Sequence, residues 1–251
     1  MRHEMLPETH AASTAERVAA LNSFYHLHSA TKVLEDALDD PALGRVALVS
    51  SFGAESVVLL HLISVIRPAT PVLFVDTQML FAETLTYQET LARRLNLSDI
   101  RVLRPLPGAL AAADPNGDLH RRDPDACCGL RKIAPLESAL AGFDAWITGR
   151  KRFQGASRQR IDFFEAEEGT TRIKLNPLAH WTREDLEDYI DNNALPRHPL
   201  VAQGFLSIGC APCTSPVAPG EDLRAGRWRG QGKTECGIHF IGGKLVRTTA
   251  S

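Results

Sequence analysis

Short apolar runs alternate with helical patterns over most of the first 150 residues of the chain. The runs occur at 46–50 (VALVS), 71–75 (PVLFV), 100–103 (IRVL) and 145–148 (AWIT). They are typical of strands in a parallel sheet, because both faces of such a sheet are covered. Apolar residues at helical spacing between the runs predict helices at 56–66, 82–95 and 130–141. The alternation predicts an α/β fold in which helices flank a parallel sheet.

The two ends of the chain differ from this central pattern. Ser13 and Glu16 have the spacing of a capping box, and apolar residues follow at helical intervals as far as Tyr25. Beyond Arg160 the periodicity weakens, and from Leu195 the chain is rich in proline, glycine and basic residues. We therefore expect an N-terminal helical segment (1–40), an α/β domain (41–215) and a mobile C-terminal tail (216–251).

The composition narrows the possible classes of function. Of the 251 residues, 44% are hydrophobic, and the net charge is −2. Such a chain can bury a core, and its charge gives no broad attraction to nucleic acids or membrane surfaces. The longest apolar run, 57–66, is interrupted by His61 and is too short to cross a bilayer, and the N-terminus lacks a secretory pattern. We expect a cytoplasmic protein without nucleic-acid or membrane partners.

A loop of small residues follows the first predicted strand, at the end of the strand where parallel sheets bind ligands. It consists of Ser50, Ser51, Phe52, Gly53, Ala54 and Glu55. Small residues before a helix let backbone N–H groups approach an anion, although an ordinary turn would look similar. The loop has neither of the glycine patterns of dinucleotide and Walker-type sites.

Polar residues also follow the second and fourth predicted strands. Asp76 and Thr77 could bind a nucleotide or could cap the next helix. After the fourth strand come Gly149 and the basic residues Arg150, Lys151, Arg152, Arg158 and Arg160. Guanidinium groups at this edge of a sheet suit phosphate or sulfate, although charge runs are more often solvated surface.

Four of the five cysteines form two pairs. Cys127 and Cys128 are adjacent, and Cys210 and Cys213 belong to a CAPC motif. A CxxC motif brings two thiolates to one metal, and two further cysteines complete four ligands. Adjacent cysteines diverge, which suits the separate iron corners of a [4Fe–4S] cluster better than one zinc ion. Zinc and a metal-free redox dithiol stay open as alternatives.

Cys236 is the odd cysteine, and it lies in a basic part of the chain. Residues 221–251 carry six basic and three acidic residues, and Lys233 and His239 lie close to Cys236 in sequence. Positive charge favours the thiolate, which is the nucleophilic form of cysteine. A reactive thiol here suits an anionic electrophile, whereas a lone cysteine is about as often buried and inert.

The motifs CC, CAPC, GEDLRAGRW and ECGIH occur in that order along the chain. Together they resemble the iron–sulfur-containing adenylylsulfate reductases, a branch of the adenylylsulfate and phosphoadenylylsulfate reductase family. The resemblance covers nearly the whole chain after Val46 and implies an adenine-nucleotide α-hydrolase-like, Rossmann-like fold. Two loops depart from the family pattern. VDTQM stands where the family has LDTGR, and Gly155 stands where it has a serine.

The resemblance assigns roles to individual residues. It implies that Cys127, Cys128, Cys210 and Cys213 hold a [4Fe–4S] cluster and that Cys236 is the catalytic nucleophile. The residues that we expect to contact the substrate are Ser50, Ser51, Phe52, Gly53, Ala54, Glu55, Asp76, Thr77, Lys132, Gly149, Arg150, Arg152, Arg224, Arg227 and His239.

The resemblance also implies a reaction. Cys236 attacks the sulfur of adenosine 5′-phosphosulfate, and thioredoxin or glutaredoxin then releases sulfite. We expect a homo-oligomer. The first alternative is an enzyme that uses 3′-phosphoadenylylsulfate, alone or as well. Two others are less favoured. A zinc-containing RNA-binding module conflicts with the net charge and the few aromatic residues, and an ATP-pyrophosphatase-type transferase lacks its SGGxDS motif.

Overall fold

The computed structural model describes residues 13–155, 158–231 and 233. Its helices are α1 (Thr14–Tyr25), α2 (Ala30–Asp39), α3 (Ser56–Ile66), α4 (Ala82–Arg94), α5 (Pro107–Ala113), α6 (Leu119–Arg122), α7 (Pro124–Cys128), α8 (Ala134–Leu140) and α9 (Arg183–Asn192). Its strands are β1 (Val46–Ser50), β2 (Val72–Val75), β3 (Ile100–Leu103), β4 (Ala145–Ile147), β5 (Phe164–Ala166) and β6 (Ile173–Leu175). None of the described helices has both the length and the apolar character that crossing a membrane requires.

The described strands form one sheet in the order β3-β2-β1-β4-β6-β5. Neighbouring strands are parallel, except that β5 is antiparallel to β6. Leu48 of the central strand β1 lies opposite Val72 of β2 and Ile147 of β4. The chain moves outward from β1 to β3 and then resumes on the other side of β1 with β4. The predicted α/β fold is confirmed, and a reversal of this kind marks the place where open sheets bind ligands.

Apolar side chains cover both faces of the sheet. In β2, Val72 and Phe74 belong to the larger core, which also contains residues of α2, α3, α4 and α9. Leu73 belongs to a smaller core on the opposite face, together with Leu136 and Leu140 of α8. Because successive side chains of a strand point to opposite faces, a strand buried on both sides must be apolar at every position. This explains why the strand runs in the sequence are continuous.

The helix predicted at 130–141 is divided into two parts. Gly129–Ile133 forms a turn of π-helix, and α8 begins at Ala134. Pro135 has no N–H group, and in a continuous α-helix its ring would clash with the carbonyl group of Arg131. The wider π-turn ahead of the proline avoids this clash.

The strands β5 and β6 have no counterpart among the predicted strands. Each has three residues, which is too short for a clear hydrophobic pattern. Gly169 lies between them with φ +75°, a left-handed conformation that glycine adopts without strain. The Asn22 side chain of α1 donates to the Phe164 carbonyl oxygen and accepts from the Phe164 N–H group, each at 2.9 Å. Helix α1 thus caps the β5 edge of the sheet.

Both ends of the described chain pack onto the sheet domain. The predicted capping box of Ser13 and Glu16 is present, and α2 contributes Val33 and Leu34 to the larger core. At the other end, the N–H group of Trp228 donates to the Cys213 carbonyl oxygen at 3.0 Å. The division at residues 40 and 215 stays a prediction. Residues 234–251 of the predicted tail lie outside the described residues.

Candidate functional site

A cavity of about 500 Å³ lies at the carboxyl ends of β1 and β4, where the strand order reverses. This volume lies within the usual range for sites that bind small molecules and cofactors. Among the residues expected to contact substrate, those that line it are Ser50, Ser51, Gly53, Ala54, Glu55, Lys132, Gly149, Arg150, Arg224 and Arg227. The structure therefore brings together loops that are far apart in the sequence.

The loop between β1 and α3 is held by its own hydroxyl groups. Ser50 Oγ accepts from the Phe52 N–H group at 3.2 Å, and Ser56 Oγ accepts from the Gly53 N–H group at 2.9 Å. Phe52 has φ +48°, and its buried ring packs edge-on against Phe74 with centroids 5.1 Å apart. The Phe52 side chain therefore anchors the loop to the core rather than lining the cavity.

Lys151 and Glu55 form a partly buried ion pair at the cavity wall. Lys151 is only 2% exposed, and its Nζ lies 2.5 Å from Glu55 Oε2. Gln154 Nε2 donates to the same oxygen at 2.7 Å. Burial alone would raise the pKa of Glu55, but the Lys151 charge and these hydrogen bonds outweigh it and lower the pKa below its ordinary value of 4.5. Glu55 is therefore ionised at neutral pH.

The arginines after β4 point in different directions. The Arg150 guanidinium contacts Glu165 and donates to Asn176 Oδ1 at 3.0 Å. Arg152 does not line the cavity, and its Nε donates to the Ile161 carbonyl oxygen at 2.7 Å. The basic run is therefore divided between the cavity wall and contacts that hold the following loop.

Asp76 and Thr77 also lie outside the lining of the large cavity. Asp76 accepts from Arg104 Nε at 2.8 Å and from the Gln78 N–H group at 2.9 Å. Gln78 has φ +59°, and it occupies the position where the resembled family has glycine. This turn therefore adopts a left-handed backbone conformation at a residue other than glycine. Thr77 Oγ1 lies 3.2 Å from Cys210 Sγ and so belongs to a second site.

That second site is a small cavity, here called the thiol pocket, which contains all four paired cysteines. Its lining residues are Thr77, Met79, His120, Pro124, Cys127, Cys128, Arg131, Lys132, Cys210, Cys213, Arg227 and Trp228. Cys127 and Cys128 come from the end of α7, and Cys210 and Cys213 flank a turn joined to the β2–α4 loop by the Ala211 N–H to Met79 carbonyl bond at 2.8 Å. Lys132 and Arg227 line both cavities.

The cysteines of the thiol pocket lie close enough to affect one another electrostatically. The pKa of Cys127 is raised to about 12, mainly by burial and also by the charges of Cys128 and Cys210, whereas Arg131 opposes this shift. Burial also raises the pKa of Cys213, with added contributions from Cys210 and Cys128. A bound cation would reverse this repulsion, because metal coordination favours the thiolate.

The chemistry of the pocket fits an iron–sulfur cluster in two respects. It presents four thiols, the usual ligand set of such clusters. Arg227 Nε and Trp228 Nε1 are buried donors without a hydrogen-bond partner among the described residues, and cluster sulfurs would offer them acceptors. No described group of three or more His, Cys, Asp or Glu side chains is arranged to hold a metal ion. The cluster therefore stays a prediction.

Several residues of the site are not found by sequence reasoning. Arg131 Nη2 lies 2.6 Å from Asp114 Oδ2, and Arg131 Nη1 donates to the Thr77 carbonyl oxygen at 3.1 Å. Nothing in the sequence around Asp114 indicates this pairing. Lys233 Nζ lies 3.3 Å from Cys128 Sγ. The sequence indicates Lys233 only through its position in the basic stretch before Cys236. Cys236 and His239 lie outside the described residues.

Gly209 allows Arg227 to reach the boundary between the two cavities. A Cβ atom on Gly209 would lie 2.3 Å from Arg227 Nη2, so a larger residue would displace the guanidinium group. The Arg227 side chain also stacks on Trp228, with its Cζ 4.4 Å from the ring centroid. These contacts fix one of the two cations that the cavities share.

Known proteins share this sequence over most of its length. An adenosine 5′-phosphosulfate reductase of Mesorhizobium japonicum is 48% identical over 237 residues, which is 94% of this chain and 92% of that protein. One from a Chelativorans species is 51% identical and covers 82% of this chain and 84% of its own. Adenosine 5′-phosphosulfate reductase 1 of Bacillus subtilis is 43% identical over 78% of this chain and 84% of its own.

Solved structures share the fold. A phosphoadenylyl-sulfate reductase from Candida auris, in a phosphate complex, has a TM-score of 0.70 and 25% identity over 82% of this chain and 98% of its own. An FMN adenylyltransferase from Candida glabrata, at 16% identity, shares the fold with a TM-score of 0.55 over 85% of this chain and 71% of its own. Residues 45–216 match the phosphoadenosine phosphosulfate reductase domain. The family resemblance seen in the motifs is confirmed: the chain belongs to the phosphoadenosine phosphosulfate reductase family and is an enzyme.

Proposed function

We propose that the chain reduces adenosine 5′-phosphosulfate to sulfite and AMP in sulfate assimilation. One observation carries the proposal: Lys132 and Arg227 line both the nucleotide-sized cavity and the thiol pocket. A ligand with a nucleoside at one end and a sulfate at the other could therefore place its nucleoside in the large cavity. Its sulfate would then contact the cations at the boundary between the large cavity and the thiol pocket. The names of the curated relatives support the choice of substrate.

Different groups would bind the phosphate and the sulfate of the substrate. Some N–H groups of the β1–α3 loop do not donate to the serine side chains of the loop. These groups would donate to the phosphate at the N-terminus of α3, where the helix dipole favours an anion. Lys132, Arg224 and Arg227 would hold the sulfate. Because guanidinium and ammonium groups stay charged at neutral pH, they stabilise the negative charge that remains on AMP as it leaves.

Cys236 supplies the nucleophile in this proposal. Its thiolate attacks the sulfur of the substrate, a sulfur–sulfur bond forms, and the bond between that sulfur and the bridging oxygen of AMP breaks. The product on the protein is an S-sulfocysteine. AMP leaves as an anion, so the step needs no proton from the protein.

Thioredoxin, or glutaredoxin, completes the cycle. One of its thiolates attacks Cys236 Sγ and expels sulfite, and its second thiol breaks the resulting mixed disulfide. The two thiols supply both electrons, which leave as a disulfide in the reductant. The described cysteines are free thiols, which supports a reducing, cytoplasmic location.

Cys127, Cys128, Cys210 and Cys213 would hold a [4Fe–4S] cluster in the thiol pocket. When bound, the cluster supplies ordered charge beside the substrate sulfate, and no electron has to pass through it. Arg131 and Trp228 line the same pocket and would orient the loops that carry these ligands. Thr77 contacts Cys210 and joins the β2–α4 loop to the pocket.

The ion pairs at the cavity wall favour a substrate without a 3′-phosphate. A further phosphate needs positive charge that is not already balanced, but Lys151 faces Glu55, and Arg150 faces Glu165. Glu55→Gln removes one of these carboxylates. We expect the wild type to have the higher kcat/KM for adenosine 5′-phosphosulfate and the variant to shift toward the 3′-phosphorylated nucleotide. An equal preference in both proteins would contradict this assignment.

Two cysteine variants test the proposed reaction. Cys236→Ser should abolish sulfite formation and keep both the iron content and nucleotide binding, because it alters only the nucleophile. Cys210→Ser should lose iron and the brown visible absorption of anaerobically purified protein, because it removes a ligand. Normal turnover by Cys236→Ser, or full iron content in Cys210→Ser, would contradict the respective assignment.

A further inference from the structure

Residues 216–225, here called the cavity loop, form a surface loop whose two ends lie close together. The Ser215 N–H group donates to the Gly226 carbonyl oxygen at 2.9 Å. A Cβ atom on Gly226 would lie 2.0 Å from the Ser215 carbonyl oxygen, so this close approach requires glycine. Compact loops whose ends meet are frequently functional. Leu223 and Arg224 of the cavity loop line the large cavity.

The hydrophobic cores do not hold the cavity loop in place. The structure describes the whole loop, and none of its residues belongs to either core. Residues 218–222 are exposed to solvent. The conformation of the cavity loop therefore depends on polar contacts.

Arg229 makes several of these polar contacts with a single side chain. Its Nη1 lies 3.0 Å from Glu221 Oε1, and its Nη2 lies 2.9 Å from Glu221 Oε2, so the pair is bidentate. Nη2 also donates to the Pro216 carbonyl oxygen at 3.2 Å, and Nε donates to Ser215 Oγ at 3.2 Å. The planar guanidinium group thus joins the start of the cavity loop to its middle.

Glu221 is suited to this contact because it stays charged. The hydrogen bond from Arg229, aided by the Ala218 N–H group at 2.8 Å, lowers the pKa of Glu221 to about 2. The carboxylate is therefore ionised throughout the neutral pH range.

An exposed pair elsewhere in the chain shows what is particular to Arg229. Arg101 and Asp99 are also bidentate, at 2.9 and 2.7 Å, and their side chains are 50% and 35% exposed, against 47% and 35% for Arg229 and Glu221. Asp99 and Arg101 are two positions apart, whereas Glu221 and Arg229 are eight positions apart. Exposed pairs add little to the free energy of unfolding. The pair of Arg229, however, restrains a loop that has few other contacts.

The cavity loop fixes the backbone of Arg224. The Arg224 N–H group donates to Asp222 Oδ1 at 2.8 Å, and both residues belong to the loop. Arg227 lies beyond the loop, next to Trp228, whose N–H group donates to the Cys213 carbonyl oxygen at 3.0 Å. A change in the loop should therefore displace Arg224 more than Arg227.

We infer that Arg229 is a positioning residue that holds the cavity loop against the large cavity and so places Arg224 beside the substrate sulfate. The inference rests on the proposed function, in which Arg224 is one of the residues that hold the sulfate. It predicts that the use of adenosine 5′-phosphosulfate depends on Arg229, whereas the binding of AMP does not, because AMP has no sulfate.

The test compares Arg229→Met with Arg101→Met in the full-length, cluster-loaded protein. Methionine keeps much of the apolar stem and removes the guanidinium group. We expect Arg229→Met to lower kcat/KM for adenosine 5′-phosphosulfate about tenfold, and to change the inhibition constant of AMP by less than about twofold. Arg101→Met should resemble the wild type in both measurements, because Arg101 lines neither cavity.

A double variant separates positioning from charge. Arg229→Met leaves the Glu221 carboxylate unbalanced at the cavity wall, and this charge would weaken the binding of any anionic nucleotide. Arg229→Met combined with Glu221→Gln removes that charge. If the charge were the cause, AMP would bind less tightly to the single variant, and the double variant would recover kcat/KM. Positioning by Arg229 predicts neither result.

Hydrogen exchange gives a readout that needs no substrate. The N–H groups of Val217, Glu221 and Ala225 donate to backbone carbonyl oxygens. In Arg229→Met these amides should exchange several-fold faster than in the wild type, because the cavity loop has lost its main restraint. In Arg101→Met their exchange should not change.

The inference is overturned by a wild-type kcat/KM in Arg229→Met, by equal losses for AMP and adenosine 5′-phosphosulfate, or by unchanged exchange of the cavity loop. Failure of the proposed function gives a different result. In that case the wild-type protein forms no sulfite from adenosine 5′-phosphosulfate. If the wild type forms sulfite and Arg229→Met does so equally well, only the positioning role is wrong.

Discussion

Replacing Lys151 by methionine removes the positive charge that faces Glu55 at the wall of the nucleotide cavity. The methionine retains an apolar stem of similar length, so the main change is electrostatic. In the wild type, Glu55 Oε2 accepts from Lys151 Nζ at 2.5 Å and from Gln154 Nε2 at 2.7 Å. The variant leaves the Glu55 carboxylate with Gln154 as its partner.

The size of the effect follows from the burial of the pair. Removal of one partner from a fully buried ion pair costs ~3–5 kcal/mol, because the other charge stays buried and unpaired. Lys151 is 2% exposed, but the Glu55 side chain is 25% exposed, so water screens part of the remaining charge. We therefore expect Lys151→Met to lower the free energy of unfolding by about 2–3 kcal/mol at neutral pH.

The pH dependence of this loss identifies its cause. Burial works to raise the pKa of Glu55, but the Lys151 charge prevails and keeps it lowered. A carboxyl group with a lowered folded pKa contributes stability above its unfolded pKa and loses it as the pH falls. Without Lys151, burial prevails and the pKa rises. The destabilisation should therefore be full near pH 8 and shrink between about pH 7 and pH 4 as Glu55 takes up a proton.

The assay is urea unfolding of both proteins at several pH values, followed by fluorescence and circular dichroism. The two signals must give the same transition for a free energy to be derived. Lys151→Met combined with Glu55→Gln should be more stable than Lys151→Met alone, because it leaves no buried charge. A loss that is independent of pH, or a double variant that is worse than the single variant, would refute the electrostatic explanation.

Three further substitutions test other parts of the structure. Gln78→Gly should raise the free energy of unfolding by about 0.5–1 kcal/mol, because Gln78 has φ +59°; an equal gain from Gln78→Ala would contradict this cause. Arg131→Met should lower the free energy of unfolding by about 3–5 kcal/mol, because it leaves the fully buried Asp114 carboxylate without its cationic partner. An unchanged midpoint in urea unfolding would contradict the pairing. Gly209→Ala should raise the KM for nucleotide about tenfold by displacing Arg227, with iron content retained; an unchanged KM would contradict the role of Arg227.

Local patterns in the sequence predict the central elements of the fold well. The predicted strand at 46–50 and the predicted helix at 56–66 coincide with β1 and α3. Both are long enough to show their hydrophobic pattern, and both contribute buried residues to the larger core. The strands β5 and β6 could not be predicted in this way, because three residues show no period and the contacts that hold these strands come from β4 and α1.

The candidate site is predictable in its residues but less so in its pairings. The basic run after β4 is visible in the sequence, yet the acidic partner of Lys151 is Glu55, 96 residues earlier. The two cysteine pairs are visible too, but only the fold brings Cys127 and Cys210 into one pocket. Contacts between residues so distant in sequence depend on the packing of the whole domain, which no local pattern records.

Mass spectrometry of Cys236 tests whether this cysteine is the nucleophile. The full-length protein is mixed with adenosine 5′-phosphosulfate in the absence of any thiol reductant, and its peptides are then analysed. We expect the peptide that contains Cys236 to gain the mass of SO₃, in an amount equal to the AMP released. Thioredoxin should then release sulfite from this peptide. AMP release without this adduct, or an adduct on another cysteine, would contradict the assignment of Cys236 as the nucleophile.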